Sequence, residues 1–159
     1  KKIIDPYFIS DKKFHLIIDS DILWFNRPAE IEKQILQDGQ KSFMQNNCKP
    51  IYVTFWNGSK NTEQQALVNA GVIFYKKENF NLNKLTEFLE NIDKNNPKNI
   101  HFADQAGHAY CLENLELLPT DRYIISGGVN KNTVIKHYTG PRRHLFYAAG
   151  LTLISNKYL

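Results

Sequence analysis

Apolar residues along the chain recur with two periods, and the exchange between them predicts strands interleaved with helices. "FHLIID", Phe14 to Asp19, is an oily run that predicts a buried strand. In "RPAEIEKQILQDGQKSFMQ", Pro28 suits a first helical turn and Ile31, Ile35 and Leu36 recur at helical spacing, which predicts a helix. "PIYVTFW", Pro50 to Trp56, is β-branched and aromatic and predicts a second strand. "NGSKN" predicts a turn or mobile loop, and "QALVNAGVIFYKK" a further buried strand with a polar Asn-Ala-Gly step inside it. "NLNKLTEFLENIDKN" predicts an amphipathic helix with Leu82, Leu85, Leu89 and Ile92 on one face, ended by "PKN".

Further along, "HFADQAGHAYCLENL" predicts a short strand or loop entering a helix that carries Ala109, Leu112 and Leu115. "RYIISGG" and "TVIKHYTG" are short strand candidates, and "HLFYAAGLTLISNKYL" closes in a helix or extended tail. The alternation predicts an α/β protein, a single domain or fragment over 1–159, whose late hairpin-like pieces make the sheet mixed.

Composition narrows this picture only slightly. A chain of 159 residues with 42% hydrophobic and 23% charged positions can bury a sizeable core. Its apolar runs fall short of the ~18 residues a membrane-spanning helix needs. "FISDKK" interrupts the basic-then-apolar start before a signal-peptide core forms, so a cytoplasmic protein is expected. Cys48 and Cys111 are too few and too far apart for a disulfide framework, and free thiols are expected. A net charge of +4 suits anionic small ligands, whereas a dense basic stripe with stacking aromatics is missing, so nucleic acid is not an expected partner.

Candidate chemistry begins where the first strand ends. "HLIIDSDILWF" places Asp19 and Asp21 after a buried run, and ligands of α/β sheets bind outside strand ends. Joint action of the two carboxylates is expected to need a turn of the chain at Ser20. Hard carboxylate oxygens suit Mg²⁺ or Mn²⁺. D-x-D is short and common, and a solvated turn with Asp19 as a cap is the plain alternative. Three chemistries use such a pair: a nucleotide-sugar transferase, a phosphatase with Asp19 as nucleophile, and a generic two-metal hydrolase.

"KHYTGPRRHLFYAAG" discriminates among them. His137 can complete a metal shell begun by two carboxylates. Gly140 lets backbone approach phosphate oxygens, and Arg142 or Arg143 offers forked donors to them. His15, His101 and His108 read as structural or surface histidines, His144 is a weaker phosphate candidate, and Trp24, Phe25 and Trp56 read as core or pocket wall.

Four of these segments together resemble the GT-A glycosyltransferases, particularly the glycogenin- and galactosyltransferase-like retaining group, from about His15 to about Leu151. "LIIDSDILWFNRP" is similar to that family's strand, D-x-D and Arg-Pro; "LVNAGVIFYKKENF" to its Asn-x-Gly segment; "HFADQAGHAY" to its Asp-Gln pair; and "KHYTGPRRHLFY" to its terminal His-x-x-Gly motif. The resemblance implies a Rossmann-like GT-A domain seen from the D-x-D onward. Asp19, Asp21 and His137 would hold Mn²⁺ or Mg²⁺. Asn69 and Gly71 would line the donor-sugar pocket, and Asp104 would bind sugar hydroxyls. Gln105 would lie near the anomeric carbon, and Gly140 with Arg142 or Arg143 would contact the diphosphate. It further implies a nucleotide-sugar donor and a glycan or other hydroxyl acceptor as partners.

The family carries its nucleotide-binding half ahead of the D-x-D, and only eighteen residues precede Asp19 here. The expectation is therefore a piece of a longer protein, with the missing N-terminal half as a further partner. Its Lys-Pro-Trp after the glycine is replaced by Pro141-Arg142-Arg143-His144. From the residues alone two alternatives stay open. One is a haloacid-dehalogenase-like phosphatase using Asp19 as nucleophile, Thr54, Lys76 or Lys77, and "IHFADQ" as its acidic motif. The other is a non-catalytic carbohydrate-binding derivative. Asn69-Ala70-Gly71 also reads as a plain bulge, and Asp104 as a helix N-cap.

Overall fold

The computed structural model describes residues 2–56 and 61–158, and at 48, 53–56, 61–65, 141, 157 and 158 it describes backbone only. Expectations placed on 57–60 and on the side chains of Cys48, Thr54, Trp56 and Pro141 lie outside the described residues. In chain order the elements are α1 (Asp5–Ile9), β1 (Phe14–Ile18), β2 (Ile22–Trp24), α2 (Ala29–Leu36), β3 (Ser42–Trp56) and β4 (Asn61–Lys76). There follow α3 (Leu82–Asn91), α4 (Pro97–Cys111), β5 (Leu115–Leu118), β6 (Tyr123–Ile124) and β7 (Ile135–His137). A π-helical turn, Phe146–Gly150, leads into α5 (Leu151–Tyr158). Among the described residues no helix is long and apolar enough to cross a membrane.

The described strands form two sheets, a four-stranded one in the order β1-β4-β3-β5 and a three-stranded one in the order β2-β7-β6. Each mixes directions: β5 runs parallel to β3 and β6 parallel to β7, while the other pairs are antiparallel. The expected α/β class with mixed sheets is what the chain adopts, but the late strands expected to be hairpin-like, β6 and β7, pair parallel.

The run "VIFY" in β4 shows why the sheets stack as they do. Val72 and Phe74 point to one face and Ile73 and Tyr75 to the other, and all four are fully buried. A strand covered on both faces reads as a continuous apolar run. Val72 and Phe74 join Ile22, Ile31, Phe43, Leu118, Tyr123 and Ile135 between the two sheets and α2. Ile73 and Tyr75 join Met44, Leu85, Phe88, Ala106 and Cys111 under α3 and α4. Each such side chain contributes about 2 kcal/mol by leaving water.

Local chemistry moves several expected boundaries. The helix expected from Pro28 through the "SFMQ" segment stops at Leu36, and Pro28 is its N-cap. Asp38 then takes a left-handed backbone (φ 51), Gly39 N donates to Gln34 O at 2.8 Å, and Lys41 N donates to Gln34 Oε1 at 3.1 Å. That closed turn launches β3 at Ser42, while Ile35 and Leu36 stay exposed. Asn81 caps α3, its Oδ1 accepting from Asn83 N and Lys84 N. Phe88 takes the buried place expected of Leu89 on the α3 face. Pro97, expected to end a helix, opens α4 behind its Asn96 cap. Helix α4 covers the stretch expected to start as strand or loop, and Leu115 begins β5.

Candidate metal centre

The D-x-D segment carries the chain directly from one sheet to the other. Asp19 leaves β1 in one sheet and Ile22 enters β2 in the other, with the chain turning at Ser20–Asp21 as expected for joint action. Backbone bonds fix both ends of the turn: Asp19 N donates to Gly71 O and Tyr138 N to Asp21 O, each at 2.9 Å. Antiparallel register pairs Ile22 with His137 and so sets the imidazole beside the turn. One ligand atom from each of Asp19, Asp21 and His137 lies within 4.8 Å of the others. His137 Nε2 is 3.1 Å from Asp21 Oδ1 and 3.6 Å from Asp19 Oδ2.

A buried glutamine decides what His137 presents to those carboxylates. Gln45 is fully buried, and its Nε2 donates to Tyr123 O at 3.3 Å, which turns Oε1 toward His137 Nδ1 at 3.0 Å. An amide oxygen only accepts, so the network assigns the hydrogen to Nδ1. The ring then turns Nε2 toward two anionic groups. Burial lowers the His137 pKa, while Asp21 and Asp19 oppose it. Two carboxylate oxygens and one imidazole nitrogen form a donor set that could hold a divalent metal ion. A second partner on the far ring nitrogen is how metal-binding histidines are oriented.

Gly71 makes room for this arrangement. Between Met44 and Gln45 the β3–β4 register jumps from Ile73 to Asn69, so Ala70, Gly71 and Val72 bulge from the ladder. A Cβ at Gly71 would stand 2.6 Å from Gln45 Oε1 and closer still to the His137 ring. Asn69 holds the bulge, its Oδ1 accepting from Gly71 N at 2.8 Å. The expected bulge is therefore present, directly beneath the candidate metal ligands.

Cations converge on both carboxylates. Lys2 Nζ donates to Asp19 Oδ1 at 2.7 Å and to Ala70 O at 2.5 Å, and lies 3.6 Å from Asp104 Oδ2. Arg143 Nε donates to Asp21 Oδ2 at 2.7 Å, and that bond raises the guanidinium pKa. Arg142, offered with Arg143 for a diphosphate, turns elsewhere: its Nη1 donates to Ser126 Oγ at 2.9 Å and Ile125 O at 3.3 Å. Gly140 adopts φ +59 with open space where a Cβ would point, a backbone that favours glycine.

Helix α4 brings Asp104 to the same place through Lys2. Asp104 is in mid-helix, so the N-cap alternative is corrected: Asn96 is the cap. His108 Nδ1 donates to Asp104 O at 2.8 Å, leaving Asp104 Oδ1, 3.4 Å away, buried without a good donor. Burial pushes the Asp104 carboxyl up, but His108 and Lys2 outweigh it and hold it below its ordinary value. Gln105, next on the helix, also carries a buried Oε1 with no hydrogen-bond partner.

The lysines of the phosphatase alternative stand at the wrong end of the sheet. Phe14 pairs with Lys76 while Ile18 pairs with Val72, so Asp19 is separated from Lys76 and Lys77 by the whole of β1, about 16 Å of strand. His15 is a satisfied buried histidine, between Lys12 O at 3.0 Å and Tyr75 Oη at 3.3 Å. His101 is exposed, and His108 is fully buried under Phe80. Phe25 is core, and Trp24 packs on the inter-sheet cluster. Two residues of the site escape motif reading. Gln45 had one legible signal, a lone polar residue amid "SFMQ" on a strand. Lys2 had none.

Comparison with protein-family models, with curated proteins and with solved structures finds no match to this chain.

Proposed function

We propose that the chain carries the metal-and-diphosphate side of a GT-A-type glycosyltransferase that moves a sugar from a nucleotide-sugar donor to an acceptor hydroxyl. The observation that supports this reading most is the approach of Asp19, Asp21 and His137 ligand atoms to within 4.8 Å, with His137 Nε2 facing the two carboxylates. A divalent cation held by the three would offset charge developing on a diphosphate leaving group.

The chain's own residues supply the rest. Arg143, already on Asp21, offers its remaining donors to phosphate oxygens. Gly140 keeps that loop free of a side chain. Asp104 Oδ1 and Gln105 Oε1 are two acceptors in want of donors, which sugar hydroxyls provide. Holding those hydroxyls orients the donor for attack by the acceptor.

One observation favours a non-catalytic reading instead: Asp19 and Asp21 each already hold a cationic side chain, Lys2 and Arg143. In that reading the cluster is an ion-paired latch between the sheets. Hydrolysis of a nucleoside-diphosphate sugar, assayed with and without Mn²⁺, separates the two. Turnover that requires Mn²⁺ and falls in Asp21→Ala and His137→Ala is expected. Absence of Mn²⁺-dependent turnover, or turnover unchanged in both variants, overturns the transferase reading.

A further inference from the structure

Strand β7 presents His137 to the metal ligands and therefore turns its neighbour, Lys136, to the opposite face of the small sheet. That side chain is buried, 6% exposed, among Leu23, Tyr138 and the C-terminal helical segment. Its Nζ donates to Ile125 O at 3.0 Å and Gly127 O at 2.7 Å, which uses two of its three donors. Arg142 Nη1 donates to the same Ile125 oxygen at 3.3 Å, so two cations share one carbonyl. Neither has a carboxylate partner among the described residues. A buried ammonium beside a like charge is unfavourable without a counter-ion.

Both cations line a cavity of about 250 Å³ that Gly127, Tyr138, Leu145 and Leu153 also border. Gly127 and Gly128 have nothing within 4 Å of where a Cβ would stand, which leaves their backbone open to a ligand. Leu145, Ala149 and Leu153 recur every fourth residue and form an apolar wall on one helical face. Leu145 and Leu153 remain exposed there. The space has a cationic floor and an aliphatic side, and it lies across β7 from the Asp19–Asp21–His137 cluster.

We infer that this cavity is a second binding site, for an oxyanion carried on a short aliphatic body. Lys136 and Arg142 hold the oxyanion, the Gly127–Gly128 backbone completes its cradle, and Leu145 and Leu153 cover the chain. A phosphate monoester and a carboxylate share the needed chemistry. The site does not depend on the transferase reading.

Calorimetric titration of the whole chain with octyl phosphate, octanoate, inorganic phosphate and the uncharged octyl glucoside tests it. Saturable binding of octyl phosphate or octanoate is expected, with the tighter of the two identifying the headgroup. Inorganic phosphate should bind at least tenfold more weakly, and octyl glucoside should not saturate. Affinity should fall at least tenfold in Lys136→Met and in Arg142→Gln. Both side chains bond the Ile125–Gly127 loop, but Arg142 is exposed, so Arg142→Gln spares the core and its Mn²⁺ binding should be unchanged. No saturable binding of either amphiphilic anion overturns the site, as does affinity retained in Arg142→Gln. Equal binding of inorganic phosphate and octyl phosphate overturns the aliphatic half.

Discussion

Gln45 Oε1 accepts a hydrogen bond from His137 Nδ1 across 3.0 Å, and this one contact turns Nε2 toward Asp21 Oδ1, 3.1 Å away. Neither residue does this alone. The bulge at Gly71 opens the space, and the Gln45–Tyr123 bond fixes which end of the amide faces the ring.

Removing that partner frees the imidazole to adopt its other tautomer. Gln45→Leu should weaken Mn²⁺ binding by about 10-fold or more, the usual effect of losing an outer partner of a metal-binding histidine. Nitrogen NMR of the metal-free ring gives a readout independent of the ion: Nδ1–H in the wild type and a mixture in the variant. An Nε2–H wild-type ring would contradict the assignment.

A single methyl group at position 71 should be costly. In Gly71→Ala the new carbon runs into the His137 ring and Gln45, both buried. Overpacking of this kind costs about 1–3 kcal/mol. Urea unfolding should show that loss, and Mn²⁺ affinity should fall with it. A Gly71→Ala protein as stable as the wild type would mean the close approach is absent.

In the proposed metal centre, Arg143 competes with the cation for Asp21. Arg143→Gln should tighten binding of Mn²⁺ alone by a few-fold, because a charge of the same sign leaves the carboxylate. The same variant should bind inorganic pyrophosphate with Mn²⁺ more weakly. Parallel loss of both would place Arg143 in a purely structural role.

Acidification should destabilise the metal-free chain. Burial lowers the folded pKa of His15 and of His137 below the ordinary value near 6.5. The unfolded chain therefore binds more protons below about pH 6.5, so the stability contributed by the neutral rings is whole above it and is lost as pH falls toward the folded values. Urea midpoints measured from about pH 7.5 down to about 5.5 should decline, and less steeply in His15→Phe. A midpoint that rises on acidification would contradict the sign.

The sequence carried the two ends of the site well and its middle poorly. An oily run ending in Asp-Ser-Asp and a distant His-x-x-Gly are local patterns, and the β2–β7 pairing of Ile22 with His137 brings them together. Gln45 is different: its meaning depends on a register jump opposite it, which no local pattern encodes. Lys2 depends on a contact across the chain to Asp19 and Asp104. The two arginines looked equivalent because sequence adjacency hides direction, yet one reaches Asp21 and the other Ser126. Helix α2 is shorter than its apolar spacing predicts because Gln34 closes its end with a side chain, a tertiary choice that periodicity cannot see.

Titration of Mn²⁺ into the chain, followed by loss of the free-ion EPR signal, tests the proposed metal centre most directly. One saturable site is expected in the wild type, and none in Asp21→Ala or His137→Ala variants that keep the wild-type circular dichroism. A wild-type chain that binds no Mn²⁺, or variants that bind it as the wild type does, would contradict the metal centre.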